Sequence, residues 1–473
     1  MRLPSPDIPF PVSDVSNGEW CPRPPHARQR LAARLIAEEC ARRARRHGLT
    51  RAQFLRTAAA TVTAFWVLDR IHGGDSDAAS AMPIRREHVD DLDAARELLA
   101  EQYFVMDVQT HHVDLNLPNA NFFCGIRFGE RFQDLGKTCA EKLPLLGQAN
   151  FVKEVFVDSE TDVAVISGVP SGVLLPPETM ADTRDLVNAT AGSMRALSQA
   201  MIDPKAPAGT STALDSLPHQ VQDLGATGLK CYTYNGDWWL DDEQVSYPML
   251  DAATRHGITL VNCHKGLPNL TFFPTSGEYV RTRDFPKAVR DWPNLKFCAY
   301  HAGYFPDEGG NSEFLRVARS LEPRHRRNLY AEIGSSFAIA LLDGGPRHAA
   351  LFVGRLLRVL GSRNVLWGTD SVWWGSPQWQ IDAFKMLRMP RDLRERYRLP
   401  ALTRRVKRRI LGLNAARLYG VDPRAARAAV AGDRIAVARE AQGGHRAGRS
   451  LRTYGPRTRR QFLALLGRGL SSG

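Results

Sequence analysis

Four apolar segments of the chain each end in a side chain that can hold a cation or move a proton. They are residues 103–112 (YFVMDVQTHH), 260–264 (LVNCH), 297–301 (FCAYH) and 365–370 (VLWGTD). Side chains alternate along a strand, so in the first segment Asp107, Gln109 and His111 share one face, and Val108, Thr110 and His112 share the other. Two donors two residues apart on one face can reach one cation, and His264, His301 and Asp370 would supply further imidazoles and a carboxylate. Imidazole and carboxylate suit Zn²⁺, Mn²⁺ or Fe²⁺. A cation with an open coordination position lowers the pKa of a bound water to about 7, which makes hydroxide available at neutral pH. A single His in a strand is as readily a satisfied core group as a ligand. Four segments that end alike carry the metal-site reading. His112, on the opposite face, is read as structural, and Lys265 and His256 as surface or helix residues.

Bringing these ends together requires a fold that gathers the ends of strands. From residue 103 onward, short apolar strands at 104–109, 162–167, 196–201, 228–231, 259–263, 296–300, 329–333 and 365–368 alternate with helix-compatible stretches such as 180–195, 247–256, 282–291 and 347–361. Eight strands in β-then-α order predict an α/β fold, the (β/α)8 barrel, whose strand C-termini open on one mouth. The first strand is not followed by the glycine-rich phosphate turn of a doubly wound sheet. In a barrel, His111 follows strand one, His264 strand five, His301 strand six and Asp370 strand eight.

The 473 residues carry a net charge of +13, unevenly placed. Residues 391–473 hold 21 Lys+Arg against 5 Asp+Glu, a surplus of 16, which leaves −3 for everything before them. Three parts are expected: a helical N-terminal extension (1–82), the barrel (83–421) and a basic, loosely ordered tail (422–473). Aromatic residues are nearly absent from the tail, which argues against nucleic-acid binding and for a solvated or oligomer-facing segment. Seven Cys without a CxxC pair make no disulfide framework and fit a reducing compartment. No apolar run reaches the 18 to 20 or so residues that cross a bilayer. Residues 49–56 (LTRAQFLR), ahead of the apolar run 57–68, resemble a twin-arginine export signal in which Ala52 stands for the second Arg. A buried helix and a cytoplasmic location are favoured over periplasmic export.

The motifs together resemble the amidohydrolase-related group called amidohydrolase family 2, the aminocarboxymuconate-semialdehyde decarboxylase-like branch of the amidohydrolase superfamily. The resemblance spans about 103–422. It rests on Asp107-x-Gln109-x-His111 in place of D-x-H-x-H, on NCHKG with His264, YHAGY with His301 and LWGTDS with Asp370, and on the closing 408–419 (RRILGLNAARLY). It implies one divalent metal ion, Zn²⁺ before Mn²⁺ or Fe²⁺, held by Gln109, His111, His264 and Asp370. Asp370 would also handle the proton of the attacking water, and His301 would be an acid/base or orienting residue. Gln109 departs from the pattern, since an amide oxygen is a weaker donor than imidazole. Lys230 stands where binuclear relatives carry a carboxylated Lys, and is read as a substrate-anion contact or a structural cation. Tyr232, Tyr234, Trp238, Trp239, Trp373 and Trp374 follow strands four and eight, and some of them would form a ring-accepting pocket beside Lys230 for an aromatic or unsaturated carboxylate.

The expected activity is metal-dependent hydrolysis of such a small molecule. The alternatives are non-oxidative decarboxylation at the same site and, in another class, a metal-free barrel that serves as a binding or scaffold subunit.

Overall fold

The computed structural model describes residues 8–16, 20–74, 76, 78–117, 143–172, 174–206, 213–268 and 275–463. Among the described residues nine strands carry the architecture: β1 (Met106–Thr110), β2 (Val163–Ile166), β3 (Ala196–Ser198), β4 (Ala200–Met201), β5 (Leu229–Cys231), β6 (Leu260–Gly266), β7 (Lys296–Tyr304), β8 (Leu329–Glu332) and β9 (Val365–Leu366). Every pairing is parallel, in the orders β1-β2-β3 and β4-β5-β6-β7-β8-β9. Only Gln199 separates β3 from β4. Its N–H donates to Ile166 O (3.2 Å), while Ala200 N–H donates to Gly228 O (2.7 Å), so one strand passes its pairing from β2 to β5.

The sheet closes between β9 and β1. Val108 N–H donates to Trp367 O (3.1 Å), Asp370 N–H to Gln109 O (2.9 Å) and His111 N–H to Ser371 O (2.6 Å). Counting β3 and β4 as one, eight parallel strands form the expected (β/α)8 barrel. Runs such as Val163-Ala-Val-Ile166 are buried along their whole length, as strands sandwiched between barrel interior and helices must be.

Ahead of the first strand, the helices Ala27–Arg46 and Ala58–Ile71 lie in the stretch read as the N-terminal extension, and Leu92–Leu99 follows inside the stretch read as barrel. The apolar run that resembled an export signal is Ala58–Ile71, capped by the Thr57 hydroxyl and buried against the helices Ser336–Leu360 and Gln378–Met386. Among the described residues no helix is long and apolar enough to cross a membrane.

Two expectations are corrected. Lys265, read as a surface or helix residue, lies within β6, is fully buried and donates to Asp284 Oδ2 at 2.6 Å. The strand runs past His264 to Gly266, so the alternation that sends His264 inward sends Lys265 into the helix layer. The segment after Val421, read as loosely ordered, is packed through residue 463. Two helices, Pro423–Val430 and Arg434–Ala441, are capped by Asp422 and Asp433. Charge pairs then tie the segment to the body: Arg446 pairs with Asp382 (2.6 Å), and Asp433 of the segment binds Arg195 Nε (2.6 Å) and Nη2 (3.0 Å). Composition alone hid these partners, because they lie far away in sequence.

The Arg195–Asp433 pair is buried on both sides, so Asp433→Ala leaves a guanidinium stranded, at an expected cost of about 3–5 kcal/mol. The exposed pair Arg255–Asp251 sets the scale, and Asp251→Ala should cost less than about 0.5 kcal/mol. Equal losses in chemical denaturation would show that the buried pair does not form in solution.

Candidate active site

The end of β1, the residues after β9 and the turns after β7 and β8 meet at the barrel mouth. His111 Nε2 lies 3.2 Å from Asp370 Oδ1. The Gln109 amide N–H₂ donates to the same oxygen (3.4 Å) and to His301 Nε2 (3.3 Å). Ser335 Oγ donates to Asp370 Oδ2 at 2.5 Å and accepts from the Trp374 indole N–H at 2.9 Å. Asp370, His301 and Ser335 hold left-handed backbone conformations, with φ of 59°, 64° and 51°. Non-glycine residues rarely adopt these angles, and such strain gathers at functional sites.

Hydrogen bonds to the backbone orient both histidines. His111 Nδ1–H donates to Ser167 O (2.7 Å) and His301 Nδ1–H to Gly334 O (2.9 Å). Each Nε2 then points away from that backbone anchor, the arrangement in which imidazoles bind metals. When His111 is neutral, its Nε2 lone pair faces a carboxylate oxygen at 3.2 Å. Two electron-pair donors this close call for a proton or a cation between them. The chemistry of the donor set therefore fits a divalent cation at His111 and Asp370. The match is incomplete, because the Gln109 amide turns N–H₂, not oxygen, towards Asp370. Among the described residues no group of three His, Cys, Asp or Glu forms a ready cation cage.

His264 stands beside this cluster, its ring 4.6 Å from that of His301 and 5.0 Å from that of Tyr234. Burial and the Lys230 charge push its pKa down to about 3, so the ring is neutral. Lys230 is fully buried, with Nζ 3.8 Å from the Tyr300 ring centre and 4.6 Å from that of Tyr232. The Tyr232 hydroxyl donates to Gly168 O at 2.8 Å. Trp238 is buried in the main apolar core and donates to Asn235 O in its own turn (3.1 Å). Of the adjacent pair Trp373 and Trp374, Trp374 joins the hydrogen bonds around Asp370, whereas Trp373 contributes its main-chain carbonyl to the C-terminal segment.

Sequence reasoning missed Ser335 and Glu332. Glu332 ends β8, accepts the His301 N–H (3.0 Å) and the Gly334 N–H, and so fixes the turn that orients His301. An acid inside the apolar run 329–333 was the available signal. Burial pushes Glu332 up to about 8 and Asp107 up to about 7, and the charge of Asp370 adds to both. Burial also raises Asp370, but the His111 hydrogen bond, the charges of His111 and His301 and the Ser335 hydroxyl outweigh it and hold the group below the ordinary carboxylate value.

His112 lies on the other face, its Nε2 2.9 Å from Thr183 Oγ1. Burial pushes its pKa from 6.5 down to about 4. The unfolded chain therefore binds the extra proton between these values. Stability is full above pH 6.5 and falls as the pH drops towards 4, by up to ~1.4 kcal/mol per unit. His112→Gln should flatten part of that slope in urea titrations from pH 7.5 to 4.5, with buried His264 supplying a term of the same sign. An unchanged slope would remove His112 as a source.

The family pattern described as Amidohydrolase matches residues 152–421. No curated protein matches the chain. Among solved structures, 5-carboxyvanillate decarboxylase from Sphingomonas paucimobilis superposes with a TM-score of 0.45 at 16% identity, covering 68% of this chain and 100% of its own. A 2,6-dihydroxybenzoate decarboxylase gives 0.43 at 13% identity, covering 68% and 100%. A probable 2-pyrone-4,6-dicarboxylic acid hydrolase from Acinetobacter baumannii gives 0.41 at 13% identity, covering 67% and 99%. With more than half of its residues inside the family match, this chain belongs to the amidohydrolase family.

Proposed function

We propose that the protein is a metal-dependent hydrolase of a small carboxylate-bearing or aromatic molecule. The observation that carries this reading is the convergence of His111 Nε2 and Asp370 Oδ1 at 3.2 Å, with the far nitrogen of His111 committed to a backbone carbonyl. His111 and Asp370 would hold one divalent ion, Zn²⁺ before Mn²⁺ or Fe²⁺. His264 and the Gln109 amide, reversed to present its oxygen, would complete the set. When bound, such an ion acts as a Lewis acid and makes water more acidic.

The remaining work falls to the chain. Asp370, kept ionised among its donors, accepts the proton of the attacking water at a carboxylate oxygen and returns it to the leaving group. His301, held through Nδ1 by Gly334 O, offers Nε2 to shuttle that proton or, once protonated, to donate to the developing oxyanion. Tyr232 and Tyr234, packed around His264, would form an apolar wall for an unsaturated ring, with Lys230 beneath as a fixed positive charge. Trp238 and Trp373 are the weaker of the expected substrate contacts, since both pack in the main apolar core and Tyr232 and Tyr234 in another cluster.

The same ring-lined wall favours one second reading, decarboxylation of an aromatic acid, in which a proton is delivered to carbon in place of water addition. Protein purified without chelators should carry about one divalent ion per chain, and a panel of lactones, amides and hydroxylated benzoates should contain a substrate. Release of CO₂ would assign the decarboxylase, and formation of a new carboxylic acid the hydrolase. Asp370→Asn should lower kcat by at least ~10³-fold with the circular dichroism unchanged. Wild-type turnover by that variant, or less than about a tenth of an ion per chain, would leave the metal-free binding subunit as the better account.

A further inference from the structure

The family match ends at residue 421, and the chain beyond it returns to the barrel mouth. Tyr454 N–H (2.7 Å) and Gly455 N–H (3.2 Å) both donate to Trp373 O. The Tyr454 hydroxyl donates to buried Glu154 Oε1 at 2.6 Å, and Phe462 is buried. The N-terminal lead crosses the same stretch: Ser16 N–H donates to Pro456 O (2.8 Å) and Arg457 Nη2 to Ser13 Oγ (3.2 Å).

These backbones lie against one another with no room for a methyl group. A Cβ on Gly375 would sit 2.1 Å from Arg452 O, and one on Gly455 would sit 1.8 Å from Ser16 O. One residue beyond Trp373, the Trp374 indole donates to Ser335 Oγ, whose single proton goes to Asp370 Oδ2. Asp370 and Ser335 both have positive φ, so local conformational preference does not hold them in place. Tertiary contacts must.

We propose that residues 449–462 form a strap that positions Asp370, acting through the Trp373 carbonyl, the Trp374 indole and the Ser335 hydroxyl. This rests on the reading of Asp370 as the proton-transfer group. Trp374 and Ser335 are positioning residues, and the C-terminal segment belongs to the working enzyme. With the strap seated, the indole N–H is buried and bonded, the Ser335 proton has one acceptor, and the second carboxylate oxygen keeps its orientation while the first handles the proton.

The test uses the full chain labelled with ¹⁵N-tryptophan. The chain has nine Trp, and Trp374→Phe identifies the indole signal of Trp374. That N–H should exchange slowly in the wild type and at least ~10-fold faster in Gly455→Ala and in Ser335→Ala. If Gly455→Ala does not fold, Tyr454→Phe, which removes the hydroxyl that ties the segment to Glu154 and Asn150, carries the same expectation in direction. Unchanged exchange in the folded strap variant overturns the proposal. On an active substrate, Trp374→Phe and Ser335→Ala should each lower kcat about 10-fold with KM unchanged, and the double variant should be no worse than either single. Additive losses, or wild-type kcat in Trp374→Phe, also overturn it. A wild type that turns over nothing defeats the proposed function, while the exchange measurement still decides the strap.

Discussion

A carboxylate held ionised with no exposure to solvent is the constraint on which the barrel mouth depends. Asp370 is fully buried, and removing such a charge from water costs several kcal/mol unless donors replace the lost hydration. Gln109 serves one oxygen, which His111 Nε2 also approaches, and Ser335 serves the other. These neighbours are fixed in turn, His111 by Ser167 O and Ser335 by the Trp374 indole. The closure of β9 onto β1 brings Asp370 to His111, and the turn after β8 brings Ser335.

The same economy of donors sorts the acids of the mouth. Asp107, Glu332 and Asp370 lie near enough to feel one another's charge, and like charges in a dry site cannot all ionise. Asp107 and Glu332 receive mainly backbone and hydroxyl donors, which tie β1 to Thr369 and orient the His301 turn. Asp370 alone faces two imidazoles. One acid is thereby left as a base while its neighbours are pushed towards their neutral forms, a division that suits proton transfer near neutral pH.

Charge also explains the C-terminal segment. Arg446 of the segment meets the buried carboxylate of Asp382, the Gln442 amide donates to buried Asp158, and Glu160 is held by Lys385 beside them. Desolvation makes such pairs weak contributors to stability, but removing one partner is costly, so they fix where the segment docks. It fills the side of the barrel between the helix that precedes β2 and the helix Gln378–Met386, and then passes over the loop after β9.

Much of this was legible along the chain. Alternating apolar strands and helical stretches gave the barrel, and the side chains that end those strands gave His111, His264, His301 and Asp370, because strand period and strand order are local properties that a linear pattern preserves. The helical N-terminal extension was legible for the same reason. Glu332 and Ser335 were not, since an acid at a strand end and a serine in a turn gain meaning only from the His301 backbone and the Asp370 oxygen that fold onto them. The Gln109 departure from the pattern could be seen, but the direction of its amide is set by the Asp370 carboxylate opposite. The sequence by itself determined the repeat of strands and the chemistry at their ends. Only the tertiary structure decided which of those groups share a proton, which lysines are buried and where the arginine-rich C-terminus lies, because burial and charge pairing depend on neighbours hundreds of residues away.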